Sequence, residues 1–249
     1  MKIYDSHLHL NPKLSLEHSF SKLKQDCESS NVTGGLIISL ENDPWEFSKI
    51  AEITKLNSNF KLAYNPCLAV SKKNLRKSVI SAEFMGCAAI KIHPRLQQTN
   101  LLNKKVWYLV EIAEEEGLPV VICSFDDGTW SRLGLKSEQF LKLADKFPNV
   151  KFLWAHAGGH RVLDFMFMAR RTQNVYLDTS FTQTYFFKGN VMNDLNYATE
   201  SLPNRFLFGT DLEEDSYQST VSNMSDFYLQ QNRNRDLFFH KNYQNFFDS

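Results

Sequence analysis

Tyr4-Asp5-Ser6-His7-Leu8-His9-Leu10 lies within the first ten residues and reads as a β-strand with two chemically different sides. Successive strand side chains point to opposite faces, so Asp5, His7 and His9 share one face while Leu8 and Leu10 take the other. Imidazole nitrogen is the commonest protein ligand for zinc and related ions, and the His-Leu-His alternation lets both rings reach one ion without bending the backbone. A chance pair on a half-exposed strand looks the same in isolation. The motif acquires meaning only from its context.

Outward from this strand the chain keeps a regular beat. Leu16 to Glu28 carries Phe20, Leu23 and Cys27 at helical spacing and stops at Asn31 and the Gly34-Gly35 pair. Leu36 to Leu40 is a short apolar run, and Pro44 opens a second helical pattern through Phe47, Ile50, Ile53 and Leu56. The alternation continues with a strand over Phe60 to Leu68, a helix over Leu75 to Phe84 and a strand over Cys87 to Ile92. A helix over Leu102 to Glu116 follows, halted by Gly117, then a strand over Pro119 to Ile122 and a helix over Lys136 to Phe147. Strands over Val150 to Trp154, Val175 to Leu177 and Arg205 to Phe208 are separated by helices over Val162 to Arg171 and Met192 to Leu202. Strands that read as continuous apolar runs between helices imply a parallel sheet covered on both faces. Eight such units close into a barrel, whereas an open doubly wound sheet stops earlier. The expected fold is therefore α/β: one (β/α)8 barrel of TIM type over residues 1–249, somewhat distorted. The Phe- and Tyr-rich stretch from Phe227 to Ser249 is expected as a closing helical cap.

Composition narrows the function. Twenty-eight basic residues balance 28 acidic ones and no segment is dominated by basic charge, which argues against nucleic acid or an anionic membrane surface as partner. No apolar run is long enough to span a bilayer, and the N-terminus has no signal-peptide pattern. Cys27, Cys67, Cys87 and Cys123 are scattered without Cys-x-x-Cys spacing, so neither a zinc ribbon nor a disulfide framework is indicated and a cytoplasmic setting is expected. The first strand is not followed by Gly-x-Gly-x-x-Gly, against a dinucleotide site. A small molecule is the expected partner, and the sequence leaves homo-oligomerisation open.

The polar residues that stand out fall at the C-terminal ends of the strands. They are Asp5, His7 and His9 on the first, Lys91 and His93 on the fourth, Cys123 after the fifth, His156 after the sixth, Asp178 after the seventh and Asp211 after the eighth. In a parallel barrel those ends form one rim, where active sites are found. Asp211 also suits the N-cap of a following helix, and His156 a core histidine bonded to backbone. Lys91 and His93 share a strand face, and a barrel lysine is costly to bury without a carboxylate partner. Arg95 can fork onto a carboxylate. Asp178 reads as a structural acceptor or substrate contact, and Asp126 and Asp127 sit in a loop able to reach over the mouth. His18, His160 and His240 read as structural or exposed.

Taken in order, Asp5-Ser6-His7-Leu8-His9, Ile90-Lys91-Ile92-His93-Pro94, Gly117-Leu118-Pro119-Val120-Val121-Ile122, Ala155-His156-Ala157-Gly158-Gly159, Asn174-Val175-Tyr176-Leu177-Asp178-Thr179-Ser180 and Leu207-Phe208-Gly209-Thr210-Asp211 resemble the amidohydrolase superfamily. Within it the resemblance is to the amidohydrolase-2 branch, which includes aminocarboxymuconate-type decarboxylases and dicarboxylate lactonases. It implies that His7 and His9 hold one divalent metal, Zn2+ or Mn2+. It further implies that Asp211 touches the metal and takes a proton from the bound water, and that His156 orients or protonates the reacting group. Some branches of the superfamily carboxylate a lysine such as Lys91 to bridge two metals. This branch generally does not, so Lys91, with His93 and Arg95, is assigned to substrate binding. The family's fifth strand ends in a histidine that completes the metal set, and here Cys123 stands in its place. A thiolate is a good zinc ligand with a bond of ~2.3 Å, but cysteine reaches less far than histidine. Either the ion shifts toward Cys123, or the remaining residues hold it, or the site is metal-free; a plain buried cysteine is the usual fate of a free one. The expected activity is metal-assisted hydrolysis of a C–N or C–O bond in a small carboxylated molecule. Non-oxidative decarboxylation, metal-independent lactone hydrolysis and a catalytically degenerate binding barrel are the alternatives.

Overall fold

The computed structural model describes residues 2–211, 217–231 and 234–247. Eight parallel strands pair strictly in chain order: β1 (Tyr4–Leu8), β2 (Gly34–Ile38), β3 (Phe60–Tyr64), β4 (Ala89–Ile92), β5 (Val120–Cys123), β6 (Phe152–Ala155), β7 (Val175–Asp178) and β8 (Phe206–Leu207). Even a wholly apolar strand divides its residues between two layers. On β6, Phe152 and Trp154 pack outward against the helices, whereas Leu153 and Ala155 join Leu36, Ile38, Ala63, Ala89, Val121 and Leu207 inside the barrel. The interior is thus a packed core of branched and small side chains with no room for a pore.

The barrel is least regular where it closes. β8 has two residues, and it meets β1 through two backbone hydrogen bonds: the Ser6 N–H donates to Phe208 O and the Asp211 N–H donates to His7 O, each at 2.9 Å. β1 itself slips against β2, with Asp5 opposite Gly35 but Leu8 opposite Ile37, so three steps on one strand meet two on the other. This bulge breaks the expected alternation. Asp5 does not face the rings of His7 and His9. It is fully buried and accepts from the His7 and Thr210 N–H groups and from the hydroxyls of Thr210 and Tyr217. Burial lifts its carboxyl to about 7 against those four donors.

Among the eleven α-helices of the described residues are α1 (Leu16–Ser29), α2 (Phe47–Lys55), α3 (Lys72–Phe84) and α4 (Lys104–Glu115). Ser15, Ser71 and Asn103 cap α1, α3 and α4 by accepting from the N–H of His18, Asn74 and Lys105. The Ser71 cap starts α3 three residues before the expected Leu75. β3 ends at Tyr64, short of the expected Leu68, because Pro66 has no N–H to donate to a ladder. Gly34 and Gly35 open β2 instead of ending a helix. A Cβ at Gly35 would lie 2.1 Å from the Asp5 carbonyl oxygen, so only glycine admits the approach of β1. Two short helices, α5 (Trp130–Leu133) and α8 (Thr182–Tyr185), occupy the loops after β5 and β7, where the sequence suggested none.

The described part of the expected C-terminal cap plugs the barrel from below. α11 (Asn242–Phe247) places Tyr243, Phe246 and Phe247 against Tyr4 and Tyr176 at the N-terminal ends of the strands. Lys151 Nζ ties it down by donating to the carbonyls of Asn245 and Phe246. Among the described residues no helix is long and apolar enough to cross a membrane.

Candidate active site

His7, His9, His156, Asp178 and Asp211, from four separate strands and their loops, meet at the C-terminal rim. The His9 Nε2 lies 3.0 Å and the His7 Nε2 3.6 Å from Asp211 Oδ1. The other nitrogen of each ring is already engaged. His9 Nδ1 lies 3.1 Å from the Ile38 carbonyl, an acceptor only, so it carries the proton. His7 Nδ1 faces Asp178 Oδ2 at 3.3 Å and Ser180 Oγ at 3.2 Å. Burial, then the charge of Lys91, depresses His7 to about 4, so its Nε2 presents a lone pair at neutral pH. His7 Nε2, His9 Nε2 and one carboxylate oxygen of Asp211 therefore converge, the donor set that suits a cation. The three donor atoms lie within 4.8 Å of one another, and ligands ~2 Å from a tetrahedral zinc sit roughly 3.3 Å apart. The residues present fit a divalent ion.

A second layer holds these ligands. Asp178, fully buried on β7, accepts from the His156 N–H at 2.9 Å, the Ser180 N–H at 3.0 Å and the Ser180 hydroxyl, besides facing His7. Burial raises its carboxyl, but the hydrogen bond and charge of His7 and the charge of His156 prevail and hold it below the ordinary value. His7, His156 and Asp178 also lie close enough to share an ion, but their polar atoms are spent on each other and on Ser180. Asp211 is opposed by burial in the same way, and the charges of His7 and His156 with the hydrogen bond of His9 keep it ionised far below the carboxylate range.

Three of the residues around this centre adopt a left-handed backbone that side chains disfavour: His156 (φ 71°), Phe181 (φ 57°) and Asp211 (φ 58°). Such conformations cost ~1–3 kcal/mol each and persist where neighbours enforce them. Here the Thr182 hydroxyl donates to His156 O at 2.6 Å, the Phe181 N–H to Thr210 O at 3.1 Å, and the Asp211 N–H to His7 O. Asp211 is held by β1 and its side chain is aimed at the histidines, while the N-cap alternative concerns residues 212–216, outside the described residues.

Cys123 stands outside the His7–His9–Asp211 group. Its thiol instead lines a cavity together with His93 and His156. Burial pushes the thiol up, yet these two imidazoles bring it well below its usual value; reciprocally His156, which burial alone would depress, is raised to about 9 by Cys123, Asp211 and Asp178. Lys91, 1% exposed on the inner face of β4, has no hydrogen-bond partner at Nζ among the described residues, and burial lowers it against the charges of Cys123, Asp211 and Asp178. Arg95 sits at the mouth, paired with Asp127, and Arg161 lies 3.4 Å from Asp126.

His93, Arg95, Cys123, Asp126, Asp127, His156 and Asp211 border a cavity of about 510 Å³ whose opposite wall is aromatic: Phe125, Phe181, Tyr185 and Phe186. Phe125 meets Phe181 edge-on at 4.9 Å between centroids, and Phe181 stacks on Tyr185 at 5.3 Å. The sequence reading had no signal for this wall, because it comes from loops without periodicity. Ser180 was equally hidden, and His160, read as structural or exposed, is exposed and borders the same cavity. Gly158 and Gly159, after His156, lie against aromatic rings. Cβ atoms there would strike the rings of Phe165 (from Gly158, 2.2 Å) and Phe125 (from Gly159, 2.9 Å), so both positions make room for aromatic packing.

A parallel eight-stranded barrel with its ionisable residues gathered at the C-terminal rim defines an enzyme-type TIM barrel. The sequence profile of the amidohydrolase-2 family matches residues 69–243, and this chain belongs to that family. No curated protein matches the sequence. Among solved structures, an uncharacterised TIM-barrel protein of Bordetella bronchiseptica superposes with a TM-score of 0.81 at 16% identity, over 99% of this chain and 98% of that one. A probable 2-pyrone-4,6-dicarboxylic acid hydrolase of Acinetobacter baumannii, with citric acid bound, gives 0.72 at 11% identity over 100% of both chains. The 5-carboxyvanillate decarboxylase of Novosphingobium aromaticivorans, complexed with manganese and 4-hydroxy-3-methoxy-5-nitrobenzoic acid, gives 0.66 at 12% identity over 100% of this chain and 96% of that one. Hydrolases and decarboxylases thus share this barrel.

Proposed function

We propose that this chain is a metal-dependent hydrolase of the amidohydrolase-2 type, acting on a C–N or C–O bond of a small carboxylated substrate. The observation that carries the reading is the convergence of His7 Nε2, His9 Nε2 and Asp211 Oδ1, with the opposite ring nitrogens committed to Ile38 and Asp178. One divalent ion, Zn2+ or Mn2+, would be held by these three residues, where it supplies Lewis acidity that lowers the pKa of water and polarises a carbonyl. Asp211, ionised at neutral pH, is the base: one oxygen faces the two histidines and the other points toward His156 at 3.7 Å. His156, raised to about 9, carries a proton it can deliver to the leaving group. Lys91 and Arg95 are assigned to binding a carboxylate; Arg95 must exchange Asp127 for it, while Lys91 Nζ has no hydrogen-bond partner among the described residues to give up.

The aromatic wall favours a planar substrate, and this supports a second reading on the same residues. In non-oxidative decarboxylation His156 would pass its proton to the carbon that loses CO2. Elemental analysis of the purified protein tests the metal requirement common to both. About one divalent ion per chain is expected, lost in His7→Ala and Asp211→Ala. A metal-free protein whose stability does not change in chelator would reject it and leave metal-independent lactone hydrolysis or ligand binding without turnover.

A further inference from the structure

We propose, on the metal reading above, that Asp5, Thr210 and the Tyr217 hydroxyl form a positioning set that fixes His7 against Asp211, the ion-holding residues at the first and last strands. These two residues meet where the barrel closes, and backbone pairing is thin there. Two hydrogen bonds join a β1 that bulges to the chain around a β8 of two residues. Two more cross the same seam, and both end on the Asp5 carboxylate. Thr210 donates its N–H to Asp5 Oδ1 at 3.0 Å and its hydroxyl to Oδ2 at 2.7 Å.

Together these bonds close a ring through both ligand residues. The His7 N–H donates to Asp5 Oδ1 at 2.9 Å, the His7 carbonyl accepts from the Asp211 N–H, and Thr210, held at both its donors, precedes Asp211 in the chain. A shift of the Asp5 carboxylate therefore carries the backbones of His7 and Asp211 with it. Gly209 admits the close approach, since a Cβ there would lie 2.7 Å from Ser6 Oγ and 3.4 Å from His7 Cβ. A bridge that only closed the sheet could sit anywhere along the seam; this one sits at the two ligands.

The last donor comes from the helical layer. Tyr217, the first residue of α10 (Tyr217–Gln231), donates its hydroxyl to Asp5 Oδ2 at 3.1 Å and accepts from Cys27 Sγ of α1 at 3.6 Å. A hydroxyl has one proton, so accepting from the thiol leaves that proton aimed at the carboxylate. Each Asp5 oxygen then takes two donors, which fills the four lone-pair sites of a carboxylate. Asp5 has no exposed surface, so a donor removed is not replaced by bulk water, and the carboxylate must reorient toward those that remain. Groups that orient metal ligands in this indirect way set ion affinity by roughly 10- to 100-fold.

Intact protein stripped of metal, with Zn2+ and Co2+ as probes, decides between positioning and support. Tyr217→Phe removes one oxygen and keeps the ring, and its Zn2+ affinity in chelator competition should fall roughly 10- to 100-fold. The visible spectrum of the Co2+-loaded variant, which reports coordination geometry, should differ from that of the parent. Thr210→Val should behave in the same way, and Thr210→Ser, which restores the hydroxyl, should recover the parent affinity and spectrum. Urea titration of the metal-free proteins gives the folded fraction against which affinity is counted. Folded Tyr217→Phe and Thr210→Val that bind Zn2+ as tightly as a parent that takes up one ion, with the parent's Co2+ spectrum, overturn the positioning role and leave the metal reading intact. A parent that takes up no ion rejects the metal reading, and the positioning role with it.

Discussion

Asp211 and His156 occupy left-handed backbone that a looser structure would relax, and both are tied to other strands by the carbonyls or amides beside their side chains. The strain therefore holds two charged groups facing each other at 3.7 Å, an arrangement useful only if both are needed charged. Asp211→Asn keeps the shape and removes the base, so kcat/KM should fall by roughly 10²- to 10⁴-fold, together with the bound ion, as read by steady-state assay and elemental analysis. The pH dependence follows from His156. An imidazole raised to about 9 donates its proton below that value and has none to donate above it, so kcat/KM should decline as pH rises through about 9. A pH profile of His156→Gln should be lower throughout and lack that alkaline limb; a limb that persists unchanged assigns the proton to another residue.

The strand and helix order was legible because it depends on apolar periodicity, which survives in a single sequence. The strand ends marked the rim for the same reason: His7, His9, His156, Asp178 and Asp211 interrupt apolar runs where a buried polar group must have a purpose. What could not be read depends on contacts between elements. The bulge in β1 separates Asp5 from the histidines it seemed to join, and only the slip against β2 reveals it. The aromatic wall and Ser180 come from loops whose paths no period encodes. Asp178 belongs between these cases, since its position was visible but its role was not. One carboxylate on β7 sets the ring of His7 on β1 and the backbone of His156 after β6. Asp178→Asn should therefore loosen the metal ligands without removing one, weakening metal affinity by roughly 10- to 100-fold in a chelator competition titration. Unchanged affinity would mean that Asp178 only fastens the backbone of His156 and Ser180.

At the scale of the whole molecule the two ends of the barrel carry separate duties. The C-terminal rim gathers strained backbone and buried charge, whereas the N-terminal end is closed by α11, where Tyr243 and Phe246 meet Tyr4 and Tyr176 with ordinary aromatic packing. Stability lost at the rim has to be recovered elsewhere, and the plug is a natural place, because it completes the interior core without touching the chemistry. Phe246 is 1% exposed, and truncating a buried phenylalanine costs ~3–5 kcal/mol through lost burial and the cavity left behind. Phe246→Ala should lower the denaturant midpoint accordingly. The folded fraction should nonetheless retain the metal content of the parent, because the packed layer of Leu36, Ile38, Val121 and Leu153 lies between the plug and the rim. Measured together by urea titration and elemental analysis, these quantities separate the two ends. A loss of bound ion in proportion to the loss of stability would instead show that the plug sets the geometry of the rim, and that β1, which runs from Tyr4 at the floor to His7 near the top, transmits it.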